Sequence, residues 1–464
     1  MSPPRTQALT LRDPLEAGRR RAAELGHPIL VSAARFLSGE EDVAAAFAVA
    51  GPGVPRFYWA RPSRGLWLAG VGEALRAPAG ASPLPDLRLA HRRLLDDALI
   101  DAPDLPGAGP VCFAGVRFDP AAPIAPEWRG FGPGLLFLPR LLLSSTPQGA
   151  WLTFNASVSF DTDIAALERR LIAEADRYRA PCSPVSSGMR VDAPPDLSAR
   201  PRWEDALHCV LRDIAQGRLE KVVLARPRRV QADRDFEPRP ILRRLAASHS
   251  DCLVFAVAVD DACFLGATPE TIVRLQRGNV SSTCLAGTAP RSPDPCQDRL
   301  LGEHLLTSAK ERQEHALVVQ AVHEGLAGIC ASLDWNQTPS LMKLPTVQHL
   351  ATSFSGRCSS SVHVLDLVER LHPTPAVAGV PRSLALKVIR ESEGFDRGWY
   401  AGPIGLIDRH GDGDFAIALR CALVQGRQAT LYTGAGILAG SDPEKEWAET
   451  ELKLMALQSA LAGE

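Results

Sequence analysis

Short apolar runs cut by turn residues fill the first 180 residues, and helix-length patterns do not alternate with them strand by strand. A doubly wound parallel sheet needs a crossover helix after each strand, so this arrangement predicts large antiparallel sheets with helices packed outside. Arg56-Phe57-Tyr58-Trp59-Ala60 and Leu66-Trp67-Leu68-Ala69 flank Pro62-Ser63-Arg64-Gly65, the pattern of a hairpin with a tight connection. Runs over 111–118, 135–143 and 151–157 continue a meander. Ile164, Leu167, Leu171, Ile172 and Ala175, spaced three and four apart, then predict an amphipathic helix.

The polar, Pro-rich segment 181–202 reads as a mobile loop or linker between an N-terminal part, 1–180, and a region over 203–464. Beyond it a helix through Ala206, Val210, Leu211 and Ile214 ends at Gly217, and Lys221-Val222-Val223-Leu224-Ala225 follows as a strand. Strands are expected over 253–259, 415–424 and 430–432, and long helices around 301–329 and 443–461.

Charge narrows the partners. Lys plus Arg number 51 against 53 acidic residues, a net charge of -2, which fits neither a nucleic-acid binder nor an acidic tail and leaves a small molecule as the expected ligand. The 10 cysteines include no C-x-x-C pair and no zinc spacing, so they are expected as reduced core thiols of a cytoplasmic protein. Met1-Ser2-Pro3-Pro4-Arg5 leads into a charged stretch and no apolar run reaches membrane-spanning length, so neither export nor a membrane span is expected.

Several residues could carry chemistry. Lys221 opens an apolar strand: its amine is either buried, where desolvation disfavours the charge and frees it to take a proton, or snorkels to solvent from a sheet edge. Glu270 ends Gly266-Ala267-Thr268-Pro269-Glu270, and is either a partly buried acid of raised pKa or a helix-start residue. Glu311 and Glu314, and Glu446 and Glu449, are i,i+3 pairs on two helices, the second capped by Asp442 and carrying Lys453 one turn on. If these faces meet they can hold a hard dication such as Mg²⁺; otherwise they are solvated faces with ion pairs. The stretches containing Gly287-Thr288, Tyr400-Ala401-Gly402 and Gly434-Ala435-Gly436 allow backbone N–H groups close to a carboxylate, though a turn or bulge is the plainer reading. Arg420 suits bidentate carboxylate binding or a surface ion pair, and His349 and His372, lacking metal-ligand spacing, default to structural roles.

Taken together, Glu220 to Arg226, Gly266 to Glu270, Leu285-Ala286-Gly287-Thr288, Leu371 to Val377, Phe395 to Tyr400 and Glu446-Trp447-Ala448-Glu449-Thr450 resemble the chorismate-utilising enzymes, most closely the isochorismate synthases of siderophore pathways. The resemblance is strong from residue 203 onward and is anchored earlier by Phe113 to Pro120. It implies a single α+β fold of two large antiparallel sheets with helices outside, in which 181–201 is a surface loop. It further implies that Lys221 is the general base activating water for attack at C2 of chorismate, and Glu270 the general acid for the departing C4 hydroxyl. By the same resemblance Glu314 and Glu449 bind Mg²⁺ with Glu311 and Glu446 around it. Gly287, Thr288, His349, Ala376, Tyr400, Arg420, Gly434, Gly436 and Lys453 would then contact substrate. Thr268, Glu311 and Ala378 depart slightly from the family's usual residues without removing a proton-transfer group. Lys221 argues for water over ammonia as nucleophile, hence against an anthranilate or aminodeoxychorismate synthase subunit and its amidotransferase partner. His372-Pro373-Thr374-Pro375-Ala376 favours the monofunctional enzymes over salicylate synthases, which add pyruvate elimination.

Overall fold

The computed structural model describes residues 10–39, 41–179, 189–192 and 199–463. The N-terminal pentapeptide and most of the 181–202 linker lie outside these residues. Within the linker, Val191–Asp192 pairs with the strand Lys221–Ala232, and helix Ala199–Ala215 has already begun by residue 199.

Two antiparallel sheets are joined along one long strand, Gly134–Thr146. That strand pairs along one side with Leu66–Pro78, while on the other its first half pairs with Val111–Val116 and its second half with Gly149–Val158. From Leu66–Pro78 the first sheet runs through Arg56–Arg61, Leu253–Val259, Ala262–Thr268, Cys421–Gln425 and Gln428–Leu438 to Lys221–Ala232. From Val111–Val116 the second runs through Pro403–Asp408, Gly413–Ile417, Thr271–Gln276 and Asn279–Pro290 to Val347–Cys358. Among the described residues the one parallel ladder is the short pairing of Leu99–Asp101 with Ile29–Leu37. Strands from both sides of the linker interleave in both sheets, so the two parts build one fold.

The period of two along each strand decides which side faces what. Phe57, Trp59, Phe255 and Val257 join Phe113, Phe137 and Trp399 in the core shared by the two sheets. Tyr58, Ala60, Val254 and Ala256 point the other way, onto Phe47, Leu171 and Leu242 of the helices outside the first sheet. Phe57 stacks on Phe113 of the second sheet with ring centroids 5.5 Å apart. Arg61 adds a polar tie, donating to both oxygens of Asp414 at 2.6 and 2.7 Å and to Thr271 Oγ1 at 3.1 Å.

The expected hairpin, the strand Leu253–Val259 and the helix Ile164–Arg179, with Ile164, Leu167, Leu171 and Ala175 buried, are all present. Two expectations need correction. The helix around 301–329 is two helices, Pro295–Thr307 and Ala309–Ala327, because Ser308 adopts extended backbone and caps the second through its side chain. The strand over 415–424 is likewise two, Gly413–Ile417 and Cys421–Gln425, and they belong to different sheets.

Candidate active site

The chain changes sheets twice at one place. Ala262–Thr268 lies in the first sheet and Thr271–Gln276 in the second, so the crossing falls on Pro269 and Glu270. The other crossing is Ala418–Leu419–Arg420. The two are tied together: Ala267 N donates to Arg420 O at 3.1 Å, Ile417 N to Glu270 O at 3.1 Å, and Thr268 Oγ1 to Ile417 O at 2.6 Å. Arg420 has φ +48°, and Ala401, whose N–H donates to Ala418 O at 2.9 Å, has φ +62°. Such backbone costs about 1–3 kcal/mol per residue and persists where surrounding bonds over-determine it. The result is that Glu270 and Arg420 face one cavity, also lined by Gly287, Thr288, Glu314, His349, Ala376, Gly434, Gly436, Glu449 and Lys453.

Glu270 is neither a helix start nor solvated. It is buried, and desolvation pushes its pKa up to about 8 against the weaker downward pull of Lys221, Lys453 and Arg420. At neutral pH it is therefore largely a carboxylic acid, able to give a proton.

Lys221 does not snorkel: its side chain has 0% exposure, and Nζ lies 2.9 Å from Glu314 Oε1. The contact lacks the alignment of a hydrogen bond, so the amine and the carboxylate are neighbours by proximity. Gly436, opposite Val223 in the neighbouring strand, makes the approach possible, since a Cβ there would run into Glu314 Oε1 and the Lys221 side chain.

The two carboxylate-bearing helices approach each other through a lysine, Lys310, which reaches Glu446 on the second from its place beside Glu311 on the first. Lys453 Nζ is 2.6 Å from Glu449 and donates to Gly434 O at 2.9 Å. Lys310 Nζ lies 2.7 Å from Glu446 and 3.9 Å from Glu311. Glu311 Oε2 accepts from Thr288 N at 3.2 Å. The backbone that offers this N–H is a bulge at Gly287, where φ is +73° and a Cβ would stand 3.0 Å from the same oxygen. Burial first, then the charge of Glu314, raises Glu311 to about 7; burial, then Glu449, raises Glu446. This crowding of hard oxygen donors suits a dication that takes one or two protein carboxylates and keeps waters. Among the described residues no three His, Cys, Asp or Glu side chains are arranged to share one ion.

His349 is more than structural filling. Its Nδ1 lies 3.0 Å from Gly287 O, which can only accept, so Nδ1 carries the proton and Nε2 turns its lone pair to Arg420 Nη2 at 3.3 Å. Burial, then Arg420 and Lys453, lowers its pKa to about 3, which keeps the ring neutral. Tyr400 differs from expectation: it is buried against Gly434 and stacks on Tyr432 at 5.4 Å, without lining the cavity. Glu311 and Glu446 do not line it either, and Lys221 reaches it beside the lining residue Gly436. His372 is buried against Phe118 with its pKa lowered to about 3 by burial, as a structural histidine would be.

Sequence reasoning missed Lys310, whose only sign was its place beside Glu311 in the first turn after Ser308. It also gave no role to Asp396 and Arg397. Asp396 pairs with Arg117 at 2.7 Å, and Arg397, paired with Glu393, donates to Val223 O at 2.8 Å, which steadies the Lys221 strand from behind.

A family model described as chorismate binding enzyme matches residues 17–462. The chain is 35% identical to a salicylate biosynthesis isochorismate synthase of Pseudomonas aeruginosa, over 99% of this chain and 96% of that protein. It is 37% identical to the isochorismate synthase MenF of Bacillus subtilis over 77% of this chain and 75% of the relative. The solved structure of the menaquinone-specific isochorismate synthase MenF of Escherichia coli superposes with a TM-score of 0.75 at 26% identity, covering 97% of this chain and 100% of that one.

Proposed function

The chain belongs to the chorismate-binding enzymes, and from that premise we propose that it is an isochorismate synthase of the cytoplasm, assisted by Mg²⁺, with Lys221 as base and Glu270 as acid. The observation that carries the assignment of roles is two buried groups at one site: a carboxyl whose pKa burial raises to about 8 and a lysine whose amine is held 2.9 Å from a carboxylate.

Chorismate carries two carboxylates. Arg420, aimed by neutral His349, and the backbone at Gly434 to Gly436 receive one of them, and Thr288 and Lys453 also line the cavity. Tyr400 supports this wall from behind Gly434. Acting as the neutral amine, Lys221 takes a proton from water as the water oxygen bonds to C2; the ring double bonds shift, the C4–O bond breaks, and Glu270 protonates the departing hydroxyl. Water enters and water leaves, so atoms balance without redox change. Glu314 and Glu449, with Glu311 and Glu446 around them, would hold Mg²⁺, which when bound supplies positive charge against the ring carboxylate.

Substrate and product differ only in the positions of a hydroxyl and of double bonds, so incubation of chorismate, Mg²⁺ and pure protein should stop at a mixture of the two. Stoichiometric salicylate and pyruvate, above a no-enzyme control, would instead make it a salicylate synthase. Anthranilate formed on adding ammonium would point to the aminating relatives; no amidotransferase partner enters the proposed reaction. The relative named a salicylate biosynthesis isochorismate synthase supports isochorismate as the product, on the way to salicylate.

A further inference from the structure

Two cysteines meet away from the groups that line the cavity. Cys330 opens the strand Cys330–Trp335 and Cys358 closes Val347–Cys358; the two residues are direct partners across the antiparallel ladder, and their sulfurs stand 3.0 Å apart. Among the described residues no other two thiols touch. The ladder shifts register between Cys330 and Ser332, so the backbone beside Cys330 has local freedom to move. Cys358 is 6% exposed, whereas Cys330 is half-buried and within reach of a small reagent.

We propose that Cys330 and Cys358 form a redox-modifiable dithiol that closes to a disulfide with a low-molecular-weight disulfide as oxidant. The sulfur of Cys330, as thiolate, attacks one sulfur of the oxidant and expels its first thiol. Cys358 then attacks the Cys330 sulfur and expels the second. Two S–H bonds are lost, one S–S bond forms, and the oxidant leaves as two thiols that carry the two electrons and the two protons. A disulfide needs its sulfurs about 2.05 Å apart, so the sulfurs must approach further, and the irregular ladder at Cys330 permits this. Burial, then the contact with Cys358, pushes the Cys330 thiol up to about 12, so Cys330 rests as a thiol near neutral pH and the bond closes slowly.

The position gives the bond a consequence. Only Gly328 and Ile329 separate Cys330 from the end of helix Ala309–Ala327, which carries Glu311 and Glu314, while the strand ending at Cys358 carries His349. A bond between them would fasten the far end of the carboxylate helix to the strand that aims Arg420.

The test exposes the full-length protein to oxidised glutathione, blocks remaining thiols with N-ethylmaleimide during unfolding, and maps the digest by mass spectrometry. The expected product is a peptide pair joined through Cys330 and Cys358, lighter by two hydrogens, reversed by dithiothreitol and absent in Cys330→Ser and Cys358→Ser. The oxidised protein should melt about 2–5 °C above the reduced form, and Cys330→Ser should show no such gain. Both thiols labelled by maleimide after exposed Cys209 and Cys296 have reacted, or each carrying glutathione without joining, would overturn the proposal. Should either variant fail to fold, the wild-type map decides alone.

Discussion

The core between the sheets and the cavity at the sheet crossings are buried alike and built by opposite means. Around Phe57, Phe113, Phe137 and Trp399 apolar surface is removed from water, each such side chain contributing about 1.5–3 kcal/mol of stability. Around Glu270 and Lys221 the same exclusion of water acts on charge, and it emerges as the raised proton affinity of Glu270 and as the contact of Lys221 with Glu314. Burial in one region holds the molecule together, while in the other it sets up groups for reaction. Substitutions should therefore separate cleanly into those that cost stability and those that cost rate.

The largest effect is expected from Lys221→Ala, which should lower turnover by about 10²–10⁴-fold with the sheet signal in circular dichroism retained. A variant that kept half the wild-type rate would remove the base from the mechanism. Phe113→Ala is the converse: about 3–5 kcal/mol less stable in urea unfolding, with the folded fraction still active at the wild-type rate. If it lost rate at full stability, the division between the two regions would fail. Glu314→Gln or Glu449→Gln should raise the Mg²⁺ concentration for half-maximal rate at least about tenfold, since an amide gives an oxygen without charge. Full activity in excess chelator would dismiss the metal.

Smaller effects sharpen the contrast. Lys310→Met leaves buried Glu446 without its cation and should cost about 1–3 kcal/mol, with Lys310→Arg recovering most of it. No loss in denaturant unfolding would make Lys310 a bystander. Glu270 binds its proton more tightly folded, near pH 8, than its ordinary value of 4.5. The stability it contributes is whole below about pH 4.5 and is lost as pH rises through about 8, at a slope of at most about 1.4 kcal/mol per pH unit. Glu270→Gln should flatten that part of a stability–pH curve, and an unchanged curve would contradict the raised proton affinity.

Local signals found local structure. The all-apolar run Leu253–Val259 and the Asp442 cap of helix Pro443–Ala462 were legible because each depends on neighbours in sequence. The crossings were not. At Ala418 to Arg420 apolarity hardly changes; what changes is which strands accept the backbone bonds, and those partners are remote in sequence. The same applies to the site. Carboxylates at i,i+3 could be read from helix periodicity, and the family resemblance named the acid and base, but nothing in the spacing distinguished a buried Lys221 from an edge lysine. By residue spacing alone His349 looked like filler, and only the family resemblance put it at the substrate, because its two partners, Gly287 O and Arg420, are remote along the chain.

Gly436 has a consequence for how this protein can vary. Alanine is the smallest possible replacement, and its single added carbon would already occupy the space of the Glu314 carboxylate. There is no intermediate side chain by which the position could drift while Lys221 and Glu314 stay together, so in sequence space it is an isolated point. Libraries that seek new reactions on this scaffold can spend their diversity at Ala376 or Leu419, which face the cavity with side chains of their own. At Gly436 the accessible outcomes are the parent residue or a dismantled base.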